Sequence, residues 1–367
     1  MCLIELWQNW IVVKTSIDES TASATQTSIS NASSTNNIMK PSTPTQGGTT
    51  MKDVPAIIVP LYIYPVTASE VLAPEWQKLV EASAAPGVRV VAVVNPGSGP
   101  GLESDRSNYS FGMKALFDAG VQVAGYVSSG YGKVDKVPEA AVFNDIRQYK
   151  EWYGEWVTSI FLDEMVCNED EAVGGDGIMT RRYGSYQDFV KETFGPTAEI
   201  FLNSGVMETS PSLATTKDSI VNFLENSHEA LQELDGPGGC PPPAPEHAKG
   251  RASFLLHGSS LSPESLRQWV HKLVEGGWSH LYITERVFDP EKGLWNPWNS
   301  LTRYWDQIVA AISELHEAEG ALGQEEAEKC VAGHGEHKRG GQEEEGHISG
   351  GIDCDPAPFH APPTMPA

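Results

Sequence analysis

The chain has 367 residues, 40% of them hydrophobic, and a formal net charge of -24. The length admits two average domains or one large α/β barrel, and the acidic balance argues against a nucleic-acid or anionic-membrane partner, either of which needs a basic surface. Cys2, Cys167, Cys240, Cys330 and Cys354 show neither CxxC spacing nor the density of a disulfide scaffold.

In chain order, residues 1–54 form a leader. Its opening apolar run is interrupted by Glu5 and lacks a preceding basic region, so it reads as a degenerate signal or an imperfect start. The Ser, Thr, Asn and Ala that follow bury too little to fold. Asn31-Ala32-Ser33 and Asn108-Tyr109-Ser110 match the glycan-acceptor pattern, which has meaning only for a secreted chain.

From Ala56 to Leu315 apolar runs alternate with amphipathic segments. The runs are 57–63, 88–94, 121–127, 157–162, 198–202, 219–223, 252–256 and 281–284. They are continuously apolar rather than alternating, as expected of parallel strands covered on both faces. Between them, Val142, Ile146, Tyr149 and Tyr153 line one helix face and leave Asp145 and Lys150 toward solvent. Ser262-Pro263-Glu264 opens a second helix as cap, first-turn proline and acid, and Gly276-Gly277 closes it. The connection after the fifth run is too short for a full helix, and 236–250 reads as an inserted Pro/Gly loop.

Strand and helix in alternation predict a parallel sheet, and eight units over about 260 residues match a (β/α)8 TIM-like barrel spanning 55–316. The competing doubly wound sheet lacks a GxGxxG or Walker loop, and no cofactor is expected. No later stretch is long and apolar enough to span a bilayer. Residues 317–367, rich in Glu, Gly, Gln, His and Pro, form a disordered tail by composition.

In such a barrel, functional side chains gather where the strands end. Those ends carry Tyr62, Tyr64, Asn95, Tyr126, Asp163, Glu164, Asn203, Glu225, His257, Thr284 and Glu285, a set of rings, amides and acids suited to a sugar. Glycoside hydrolysis needs two carboxylates: one protonates the leaving oxygen and the other attacks, or activates water, at the anomeric carbon. Asp163 or Glu164 after the fourth run and Glu225 just past the sixth supply them across the mouth; the alternative is that they cap a helix or pair with surface bases. Asn95-Pro96-Gly97 and Asn203-Ser204-Gly205 serve turns, or their amides reach a substrate hydroxyl or orient an acid. His257 is a ligand-binding imidazole or a satisfied core histidine. Trp295 and Trp298 are sugar platforms, whereas Tyr304 and Trp305 pack the last helix. The acids around 163–171 lack EF-hand order and no HExxH occurs, so no required metal is expected.

These residues resemble the spherulation-specific family 4 (spherulin-4-like) proteins over about 55–315. The motifs are Val59-Pro60-Leu61-Tyr62-Ile63-Tyr64-Pro65, Val94-Asn95-Pro96-Gly97-Ser98-Gly99-Pro100, Gly125-Tyr126-Val127, Ile160-Phe161-Leu162-Asp163-Glu164, Asn203-Ser204-Gly205, Val221-Asn222-Phe223-Leu224-Glu225 and Asn296-Pro297-Trp298-Asn299. The resemblance implies a secreted or wall-associated glycoside hydrolase that cleaves galactosamine-containing α-1,4-linked exopolysaccharide, or a non-catalytic carbohydrate-binding protein on the same barrel. A cytoplasmic stress protein is the third reading. It implies Asp163 as nucleophile or stabilising carboxylate, Glu225 as general acid/base and Glu164 in support. A polysaccharide is the expected partner, and the chain is expected to be a monomer. The sequence departs from the family where Leu224 lengthens the run before Glu225 and Asn226-Ser227-His228 follows it.

Overall fold

The computed structural model describes residues 55–166, 177–204, 213, 219–227, 241–287, 289–294 and 296–318. All five cysteines, residues 1–54 and 319–367, and Trp295 lie outside them.

Eight parallel strands close into a barrel in chain order: β1 (Ala56–Leu61), β2 (Val90–Val94), β3 (Gln122–Ser128), β4 (Ser159–Asp163), β5 (Ile200–Leu202), β6 (Ser219–Ser227), β7 (Ala252–His257) and β8 (His280–Ile283). β1 pairs with both β2 and β8, which closes the ring and leaves no open sheet edge. Around it run α1 (Pro74–Ala82), α2 (Arg106–Asp118), α3 (Glu139–Tyr153), α4 (Ile178–Phe194), α5 (Pro263–Glu275) and α6 (305–318). None of the helices among the described residues is long and apolar enough to cross a membrane.

The two-residue period of a strand assigns every second side chain to the barrel interior. There the rings of Tyr126, Phe161, Phe201 and His280 form a continuous layer, with successive centroids 6.4, 6.3 and 5.2 Å apart. The centre is therefore a packed core and not a pore. Burial pushes the His280 imidazole down to about 3, so it sits in this layer as a neutral ring. The opposite row faces the helices: Phe254 meets Trp269 of α5 at 6.4 Å and Trp278 at 5.2 Å.

The helix signals read from sequence correspond to physical caps and faces. Ser262 Oγ accepts the Ser265 N–H at 3.1 Å at the start of α5. Val142, Ile146, Tyr149 and Tyr153 are all buried along α3. Tyr149 approaches β3 closely because position 125 is glycine; a Cβ there would lie 2.8 Å from the Tyr149 ring. The hydroxyls of Tyr149 and Tyr153 donate to Gly99 O and Pro100 O, each at 2.8 Å, and so fix the loop after β2.

Two expectations are corrected. Asp145 does not face open solvent: it is half-buried beside Gly99, and burial pushes its carboxyl up to about 6. β6 does not stop at 223 but continues through Ser227, so Glu225 lies within the strand. The described end of the Pro/Gly segment is tied to the turn before β8: Trp278 Nε1 donates to Pro242 O at 2.9 Å, and Gly250 N to Gly277 O at 2.9 Å.

Candidate active site

The register shows which strand ends converge. Tyr126 pairs with Phe161 and Ser128 with Asp163, while Phe161 pairs with Phe201. Ser128, Asp163 and Asn203 therefore continue the interior row one step beyond the aromatic layer, at the carboxyl end of β3, β4 and β5. Asn203 Nδ2 donates to Asp163 Oδ1 at 2.8 Å. The Tyr126 phenol faces the Asp163 carboxylate from the neighbouring strand. Burial first, then the charges of Asp163, Tyr62 and Glu164, raise the Tyr126 phenol well above its ordinary range, so it stays protonated.

Consecutive residues of a strand point to opposite faces, so two adjacent acids share a mouth only if the backbone leaves the strand between them. It does so here. β4 ends at Asp163, and Glu164 takes a left-handed conformation with φ of 53°, a costly one for a residue bearing a Cβ. Glu164 Oε2 then accepts the Ser128 hydroxyl at 2.5 Å, on the strand that also presents Tyr126. The turn is held from several sides. Glu164 O accepts Tyr131 N at 2.5 Å and Ser129 Oγ at 2.9 Å, and Ser129 Oγ lies 3.2 Å from the Tyr183 hydroxyl of α4. Tyr131 is itself left-handed, with φ of 57°.

On β6, Asn222 pairs with Ser253, but the next pairing joins Leu224 to Phe254; an irregularity between Asn222 and Leu224 absorbs one residue. Glu225 then pairs with Leu255, which pairs with Tyr282. That is the interior row, because Phe254 in the alternate row faces α5. Without the extra residue Leu224 would hold that register position. The departure noted in the sequence is thus a β-bulge, a device that re-aims a strand near its end.

The other expected residues divide. Tyr62 is half-buried and meets Tyr126 edge-on at 5.7 Å. Tyr64 is 44% exposed and joined to α2: its hydroxyl donates to Asp105 Oδ1 at 3.2 Å and accepts Asn108 Nδ2 at 2.8 Å. Asn108 Nδ2, the atom a glycan would occupy, is thus engaged within the fold. Asn95 Oδ1 accepts the Ser98 N–H at 2.6 Å, which is turn chemistry. Thr284 is fully buried and its hydroxyl accepts Arg286 N at 3.2 Å. Glu285 Oε2 holds the approach to α6 through Thr302 Oγ1 at 3.1 Å and Arg303 N at 3.0 Å.

His257 ends β7 in the row of Ser227. Burial lowers its imidazole to about 4, and its Nδ1 is buried without a hydrogen-bond partner among the described residues. Trp298 stands edge-on to it at 6.0 Å. At 4% exposure Trp298 is packed against His257 and Tyr282, which corrects the expectation of an open platform. Tyr304 and Trp305 are buried, and the Tyr304 hydroxyl donates to Ser259 O at 3.0 Å. Among the described residues no group of three or more His, Cys, Asp or Glu is placed to hold a metal.

Sequence reading missed Ser128, Ser129 and Tyr183. Ser128 was accessible to it, being two positions beyond Tyr126 on the same face of the strand. Ser129 and Tyr183 depend on how α4 docks, for which no local signal exists.

Comparison with known proteins places the chain in a family. The chain is 27% identical over 266 residues to Spherulin-4 of Physarum polycephalum, covering 71% of this chain and 70% of that one. Its fold is similar to that of Sph3 of Aspergillus clavatus, solved in complex with GalNAc: TM-score 0.55 and 24% identity, over 72% of this chain and 99% of that chain. Residues 56–312, the whole barrel and most of its last helix, match spherulation-specific family 4, and the chain belongs to that family.

Proposed function

We propose that the protein is a glycoside hydrolase that cleaves a galactosamine-containing, α-1,4-linked exopolysaccharide. The observation that carries this reading is the delivery of two consecutive carboxylates, Asp163 and Glu164, to one barrel mouth by a left-handed turn. In the proposed reaction Asp163 attacks or stabilises the anomeric carbon as its bond to the leaving oxygen breaks. Glu225 gives a proton to that oxygen and later takes one from the incoming water, with Glu164 in support. The neutral His257 imidazole, whose Nδ1 has no hydrogen-bond partner among the described residues, suits a substrate hydroxyl. The choice of sugar is supported by the GalNAc bound to Sph3. The polymer would be met outside the cell or at its wall, by a monomer.

The test is reducing-end release from a panel of hexosamine polysaccharides, including α-1,4-linked N-acetylgalactosamine polymer. The wild-type chain releases ends, and Asp163→Asn and Glu225→Gln do not, with unchanged melting temperatures. Full activity in both variants overturns the assignment. Retention on the polymer without new reducing ends identifies a non-catalytic binding protein instead.

A further inference from the structure

Two neighbouring carboxylates cannot share one electrostatic environment on equal terms, because ionising one disfavours ionising the other. What separates them is the hydrogen bonding around each. Asp163 Oδ1 accepts Asn203 Nδ2 at 2.8 Å from the end of β5, and the Tyr126 phenol faces the carboxylate from β3. Glu164 accepts Ser128 Oγ and is turned back toward β3.

Both side chains are rigid. Asn203 is 2% exposed; its N–H donates to Leu162 O at 2.8 Å and its carbonyl accepts Met165 N at 3.0 Å. Tyr126 is 5% exposed, its ring fixed between Tyr62 and Phe161. An amide N–H and a phenol that keeps its proton can only donate toward an anion, and donation to an ionised oxygen is about twice as strong as between neutral groups.

We infer that Tyr126 and Asn203 are positioning residues that hold Asp163 as a fixed anion, which gives the anionic role to Asp163 and leaves proton transfer to other acids. The kinetic consequence rests on the proposed glycosidase reading; the ionisation state of Asp163 does not. Among the described residues, the titratable groups around the Tyr126 phenol and Asp163 are Tyr62 beyond β1 and Glu164 beside Asp163.

The experiment is a carboxyl carbon-13 NMR titration of the full chain labelled at aspartate, with the Asp163 signal assigned by its loss in Asp163→Asn. Tyr126→Phe keeps the ring and its packing and removes one oxygen, so the fold is retained; Asn203→Ala is the second variant. The expected result is a rise of about one pH unit in the Asp163 midpoint in each variant, since each loses a donor to the charged form. In reducing-end release from α-1,4-linked N-acetylgalactosamine polymer, the acid limb of kcat moves up by the same amount and KM changes less than kcat. An Asp163 midpoint unchanged in Tyr126→Phe overturns the inference. If wild type releases no ends, the hydrolase reading fails while the titration still decides the role of Tyr126 and Asn203.

Discussion

The same three strands carry a polar group at each end of the barrel, with the rings of Tyr126, Phe161 and Phe201 between them. At the amino ends, Gln122 Nε2 donates to Glu199 Oε2 at 2.7 Å and to Ser159 Oγ at 3.2 Å, and Ser159 Oγ donates to Val123 O at 3.1 Å. At the carboxyl ends stand Ser128, Asp163 and Asn203, with Glu164 turned in beside them. The amino-end cluster borders a cavity of about 530 Å³, so neither inward polar side chains nor open volume distinguishes a site. Backbone strain does: Glu164 and Tyr131 adopt left-handed conformations at the carboxyl end. The exposed apolar side chains Tyr64, Leu102, Val134, Val287 and Leu294 also lie in loops that follow strands. The amino end is arranged for satisfaction and the carboxyl end for two adjacent charges, consistent with barrels that keep stability below and chemistry above.

The largest effect expected from this contrast is catalytic. Asp163→Asn lowers reducing-end release by at least about 10³-fold, a barrier increase of about 4 kcal/mol. Glu199→Gln, the matched change at the other end, leaves the rate within about twofold. Equal losses from both changes would erase the distinction.

Backbone strain gives a smaller effect. Both Glu164→Ala and Glu164→Gly remove the carboxylate, but only glycine relieves the positive φ, so the glycine variant should be more stable by about 1 kcal/mol in chemical denaturation. Equal stabilities would mean that the left-handed turn stores no strain.

The smallest effect concerns the flank of the mouth. Asp145 has its folded pKa raised to about 6 from 3.8, so its contribution weakens stability as pH rises through that window and is absent below it. Asp145→Asn should stabilise the protein by about 1 kcal/mol at pH 7, after discounting for partial exposure, and by nothing near pH 3.5. A gain that is the same at both pH values would rule out burial of the charge as its origin.

Much of this was legible in the sequence. Eight continuous apolar runs specified eight covered parallel strands, and the Ser262 cap and Gly276-Gly277 stop marked α5 because those signals are local. Asp163 was legible as an acid ending an apolar run. The orientation of Glu164 was not, since a single dihedral decides it and many residues occupy that position in other turns. Asp145 and Trp298 were misjudged for a shared reason: each is covered by a segment distant in sequence, the loop after β2 for one and the end of β7 for the other. Helical periodicity says which face is apolar, not what a neighbouring loop does to the polar face.

The bulge in β6 bears on how this chain is aligned with its relatives. An alignment that runs without a gap from Ser219 to Ser227 places Glu225 in the column of residues that face the helices, so the proposed acid would look displaced or lost. Placing a one-residue insertion between Asn222 and Leu224 returns Glu225 to the column of Leu255 and Tyr282. Substitution patterns in β6 are therefore best counted from its carboxyl end, and a chain one residue shorter there would carry its glutamate at position 224 without having lost it.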